Sequence, residues 1–67
     1  KGGNIPTAFN AANEKAVAMF LDRKIPYLTI LEIIEAAMDN CKFMDHPNVE
    51  QILETEQEAY DFISSRW

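Results

Sequence analysis

Apolar residues recur at helical spacing along most of the chain, and nowhere do they alternate with polar ones over the length of a strand. The first such segment runs from Pro6 to Leu21. Phe9, Ala12, Ala16 and Phe20, with the neighbouring Val17 and Leu21, give it one apolar face. Asn4 or Ile5 is the expected N-cap, and Pro6 suits the first helical position because its missing N–H costs nothing there. Asp22-Arg23-Lys24 ends the helix, the two cations matching the negative end of its dipole. Gly2-Gly3 ahead of it reads as a flexible lead-in.

Ile25-Pro26-Tyr27-Leu28 is a short connector, because Pro26 keeps Ile25 out of the helical region. Thr29 and Glu32 then stand at the spacing of a capping box, with Leu28 placed to staple onto Ile33. Ile30, Ile33, Ile34, Ala37, Met38 and Cys41 follow as the cleanest apolar stripe in the chain. A loop is expected from Lys42 to Pro47. Asn48 and Gln51 predict the start of a short helix through Leu53, and Thr55 and Glu58 the start of a last one, with Ala59, Phe62, Ile63 and Trp67 inward. The expected fold is all-α, a small four-helix bundle of three main helices and one short one. Tyr27, Phe43, Met44 and Trp67 fall outside the strict stripes; they either complete the core from loops or mark a surface that meets another domain.

At 67 residues the chain is a single domain spanning 1-67. A domain of this size hides only about 60% of its unfolded surface, so its core is marginal. Cys41 is the only cysteine, which rules out an internal disulfide and fits a reducing compartment. No apolar run approaches the length of a membrane span. Beginning at Lys1 without an initiator methionine, the sequence reads as part of something longer. The net charge of −5 is uneven: between Lys42 and Arg66 there is no Lys or Arg, but there are Asp45, Glu50, Glu54, Glu56, Glu58 and Asp61. Such a surface repels phosphate backbones and anionic membranes, so neither nucleic acid nor membrane is an expected partner.

One polar pattern stands out. Asn is a mediocre helix former, yet Asn10, Asn13 and Glu14 form an i, i+3, i+4 set on an otherwise Ala- and Phe-rich helix. Such a stripe is either a solvated face or a polar contact with a specific neighbour, and these three residues are the candidate inter-domain contact.

No catalytic, cofactor-binding or metal-binding residue emerges from the rest. Asp39 to Glu50 has acidic residues at the first and twelfth positions of a calcium loop, but Cys41, Phe43 and Met44 stand where oxygen ligands and glycine are required. Cys41, Asp45 and His46 lack the paired spacing of a metal site, and Cys41 lies on a buried stripe where a thiol behaves as a small hydrophobe. Glu14 would need a substrate or desolvation to act as a general base. Both glycines precede the first helix, so there is no phosphate-cradling loop.

Gly2-Gly3, Pro6, Asn10-Ala11-Ala12-Asn13-Glu14, Ala16-Val17 and Phe20-Leu21, followed by Lys24-Ile25, Leu28, Ile30, Glu32-Ile33-Ile34-Glu35 and Asn48-Val49-Glu50-Gln51-Ile52-Leu53-Glu54, resemble the C-terminal helical domain of 1-deoxy-D-xylulose 5-phosphate reductoisomerase. The likeness covers essentially the whole chain, with a departure at Thr55-Glu56-Gln57-Glu58-Ala59. It implies a parent that is a cytoplasmic, homodimeric, NADPH-dependent oxidoreductase of non-mevalonate isoprenoid biosynthesis, using a divalent metal (Mg or Mn) to form 2-C-methyl-D-erythritol 4-phosphate. None of that family's cofactor, metal or substrate motifs matches a position here. The resemblance therefore implies an inactive domain that packs on and supports the catalytic domain, its partners being the remaining domains of the same subunit. The competing class, from the residues alone, is an autonomous helical protein-interaction module.

Overall fold

A computed structural model describes residues 3–67 as three helices: α1 Ile5–Leu21, α2 Thr29–Asn40 and α3 Val49–Arg66. The helix α1 is the centre of the bundle. It packs against both α2 and α3, which touch each other far less. The core is built from Ala12, Ala16, Met19, Ile25, Ile33, Ile34, Ala37 and Ile63, with Phe20, Ile30, Met38, Phe62 and Trp67 packed around it.

The stripe along α2 falls as its spacing dictates, with Ile33, Ile34 and Ala37 inward. On α1 the buried face differs from expectation. Ala8, Ala11, Ala12, Ala16 and Met19 are inside, whereas Phe9, Val17 and Leu21 are exposed. A helix flanked by two others gains most from close backbone approach, and small residues permit it; the large side chains are rotated outward.

The short third helix and the final helix are one continuous element. Asn48 caps its start: the Gln51 N–H donates to Asn48 Oδ1 at 2.7 Å and the Asn48 N–H to Gln51 Oε1 at 2.9 Å. Thr55 starts nothing. It sits within α3, and its hydroxyl donates back to the Gln51 carbonyl at 2.9 Å. No Gly or Pro interrupts Val49–Arg66, so nothing stops the helix there. The bundle therefore has three helices rather than four.

The expected capping box at Thr29 and Glu32 is also absent. Leu28 is already helical at φ −66°, ψ −21°. The N–H groups of Thr29 and Ile30 donate to the Pro26 and Tyr27 carbonyls at 3.1 Å each, so a turn initiated by Pro26 satisfies donors that a Thr cap would have served. Leu28 is 78% exposed and lines the open side of the α1–α2 space.

The C-terminus of α1 closes in a Schellman arrangement. The Lys24 N–H donates to the Met19 carbonyl at 2.9 Å and the Arg23 N–H to the Phe20 carbonyl at 3.0 Å. This requires a left-handed residue after the cap, and Arg23 supplies it at φ 63°. Ile25, just beyond, is buried and pins the connector to the core. At this same end of the molecule, where Met19, Lys24 and Trp67 border one hollow, Trp67 packs edge-on to Phe62 with ring centroids 6.5 Å apart, and the Arg66 guanidinium lies 5.1 Å from the Phe62 ring centre.

Candidate inter-domain face and the clasp behind it

Asn10, Asn13 and Glu14 are all exposed on the outward side of α1. They do not form a single cluster. Glu14 turns toward α3, where its Oε1 accepts a hydrogen bond from the Tyr60 hydroxyl at 2.8 Å. That contact, with some desolvation and the charges of Glu14 and Glu56, holds the Tyr60 phenol above its ordinary range. Asn13 turns the other way. It lies on the rim of an open groove of ≈ 340 Å³ between α1 and the start of α2. Phe9, Val17, Tyr27, Leu28 and Leu31 form the groove's exposed walls, with the more buried Ile30 and Ile34 behind them.

Large apolar side chains in water are the notable property of this face. Phe9 is 45% exposed, Tyr27 67% and Leu31 68%. The α3 side carries the carboxylates instead, with Glu50, Glu54, Glu58 and Asp61 all exposed. Of the residues left open by periodicity, Trp67 completes the core, Met44 is half-buried, and Tyr27 and Phe43 remain exposed.

The residue that sequence reasoning missed is Asn4. As N-cap of α1 its side chain makes no capping bond. It is 1% exposed, one of the most buried side chains of the molecule, and fully used. Its Nδ2 donates to the Lys42 carbonyl at 2.9 Å and to Thr55 Oγ1 at 3.1 Å, while its Oδ1 accepts from the Met44 N–H at 2.8 Å. The backbone joins in, the Asn4 N–H donating to the Met44 carbonyl at 3.1 Å. One amide thus ties the start of α1 to the α2–α3 loop and to α3, with both N–H groups and the carbonyl occupied. Gly3 lets the chain come this close. It has φ +52°, and a Cβ there would land on the Met44 carbonyl oxygen. Gly3 is therefore a clamped position and not a flexible lead-in; Gly2 lies outside the described residues. The available signal was an Asn directly after a Gly and before a helix-starting Pro, which also reads as an ordinary cap.

Cys41 and His46 are not brought into one site. The Cys41 sulfur lies 3.6 Å from Asn4 Nδ2, and burial, with Glu58 nearby, pushes its thiol up, away from the nucleophilic thiolate. His46 is exposed beside Asp45, with Nδ1 3.5 Å from the carboxylate. Among the described residues no three of His, Cys, Asp and Glu converge as metal ligands. The cavity at the junction of the three helices, beside Cys41 and Thr55, measures ≈ 10 Å³, room for one water at most. No helix among the described residues is long and apolar enough to cross a membrane.

The described residues thus form a clasped three-helix bundle with an open apolar groove between α1 and α2. The family model described as the DXP reductoisomerase C-terminal domain matches residues 1–62, and the chain belongs to that family. It is similar to 1-deoxy-D-xylulose 5-phosphate reductoisomerase of Agathobacter rectalis, 67% identical over 98% of this chain and 17% of the relative. The enzyme of that name from Lachnospira eligens is 61% identical over 100% of this chain and 18% of the relative, and that from Lachnoclostridium phytofermentans 53% over 92% and 16%. The chain thus spans about a sixth of the length of the curated relatives it matches. No solved structure matches it.

Proposed function

We propose that this chain is the helical domain of a larger, multidomain reductoisomerase, and that it supports the catalytic domain without contributing to the chemistry. The family match over residues 1–62, together with relatives that this chain covers by only about a sixth, carries the reading. The parent converts 1-deoxy-D-xylulose 5-phosphate to 2-C-methyl-D-erythritol 4-phosphate in the cytoplasm, as a homodimer, with NADPH and a divalent metal. The donor set of this domain fits neither group: its carboxylates are dispersed over a solvated surface, and its glycines precede the first helix. No chemical step is assigned to its residues. Of Asn10, Asn13 and Glu14, the two exposed amides supply the polar part of its contact with the rest of the subunit, where buried amides find partners, while Glu14 is held by Tyr60 within the bundle.

The test is expression of the whole reading frame that contains this segment. The full polypeptide consumes NADPH when given 1-deoxy-D-xylulose 5-phosphate and Mg²⁺, and the 67-residue chain alone does not. In the full enzyme Asn13→Ala lowers turnover or thermal stability; no change in either removes Asn13 from the contact. The second reading, an autonomous interaction module, is favoured by the open groove beside Asn13. It requires a frame that starts within a few residues of Lys1, and a longer frame with reductoisomerase activity excludes it.

A further inference from the structure

We infer that the groove between α1 and α2, and not the α3 side, is the seat of the rest of the subunit, and that it takes an apolar segment of the same polypeptide. This deepens the domain reading above and rests on it.

Three observations select the face and the occupant. First, an inter-domain contact ordinarily covers about 600–1,500 Å², which demands a whole side of a molecule whose surface is 4765 Å². Of the two sides with large exposed apolar residues, the α1–α2 side forms a groove whose walls, Phe9, Val17, Tyr27, Leu28 and Leu31, carry no carboxylate. On α3, Val49, Ile52 and Leu53 are exposed too, but Glu50 and Glu54 alternate with them and would be desolvated by any apolar neighbour. Second, Asn13 is exposed on the groove rim and its amide bonds to no other side chain or backbone group among the described residues, so a backbone laid across the groove finds a partner for its own N–H or C=O. Third, the relatives are about six times as long as this chain, so most of the polypeptide lies outside it and is available, tethered, to fill the groove. A tethered segment meets the groove at a far higher effective concentration than a second copy does.

Hydroxyl-radical footprinting of the full-length protein reads this directly. Phe9, Tyr27, Leu28 and Leu31 are compared with Phe43, Val49 and Leu53, all of which are exposed in the isolated bundle. A filled groove excludes water, so the first set is oxidised at least about fivefold more slowly than the second, at every protein concentration. In Leu28→Ser/Leu31→Ser, whose side chains are not part of the core, Tyr27 oxidation rises toward that of the second set. Protection of the second set in place of the first overturns the groove assignment while leaving the domain reading intact. Protection of the first set only at high concentration replaces the tethered segment by a second copy, and overturns it as well. If the natural polypeptide proves no longer than the 67 residues, the domain reading itself fails, and the groove proposal fails with it.

Discussion

The side-chain amide of Asn4 donates to the hydroxyl of Thr55 at 3.1 Å, across 51 residues of sequence. Thr55 in turn donates to the Gln51 carbonyl, so the hydroxyl is both acceptor and donor, and neither residue has an idle polar atom. Asn4→Ala strands the Met44 N–H and the Lys42 carbonyl and costs about 3 kcal/mol, a large part of the stability of so small a domain. Thr55→Val keeps the volume and loses the hydroxyl, costing about 1 kcal/mol. In a double-mutant cycle read by denaturant unfolding the two couple by about 1 kcal/mol; additive effects would mean that the bond contributes nothing.

Gly3→Ala is expected to destabilise by about 2 kcal/mol, since a side chain must be fitted both at positive φ and against the Met44 carbonyl oxygen. Thermal unfolding shifts down by about 8–16 °C at 4–8 °C per kcal/mol. Wild-type stability in this variant would mean that the loop from Cys41 to Asp45 yields without loss.

Arg23 is the opposite case. It occupies a left-handed position at φ 63° that glycine takes without steric penalty. Its relief is worth about 1–2 kcal/mol, from which the extra freedom of glycine in the unfolded chain subtracts about 0.4–1 kcal/mol. Arg23→Gly therefore raises the unfolding midpoint, and a lower midpoint would show that the arginine side chain holds something the backbone does not.

The Tyr60–Glu14 contact has a definite pH signature. The Glu14 carboxylate accepts the phenol's proton bond, so the folded-state pKa of Tyr60 lies above that of the unfolded chain. Its stabilisation is complete below the ordinary tyrosine range and is lost as pH rises through the raised value. Phenolate absorbance should show Tyr60 titrating later than a free tyrosine, and Glu14→Gln should bring it back. An unaltered titration in the variant would mean that the carboxylate has no hold on the phenol.

What the sequence conveyed follows the strength of each local signal. The α2 stripe is legible because Ile33, Ile34 and Ala37 have one helical face to occupy and no competing partner. Asn48 and Gln51 are legible because both halves of a capping box lie within one turn. Thr55 carries the same signature and means something else, because its hydroxyl is engaged by Asn4 from the far end of the chain, a contact that no local window contains. The buried face of α1 goes wrong by a rule of size: Phe9 and Leu21 look like core and Ala8 and Ala11 do not, until the helix is known to lie between two others. Of the polar stripe, the exposure of Asn10 and Asn13 was readable from spacing, but not that Asn13 would border a groove whose other wall begins at Tyr27.

The clamp of Gly3 and Asn4 on Met44 also sets how force enters the molecule. A pull on the backbone ahead of α1 does not peel that helix from its end. It is passed at once to the α2–α3 loop through the paired Asn4 and Met44 bonds, and to the middle of α3 through Thr55. The load therefore reaches α1, the α2–α3 loop and α3 together instead of unwinding α1 one turn at a time.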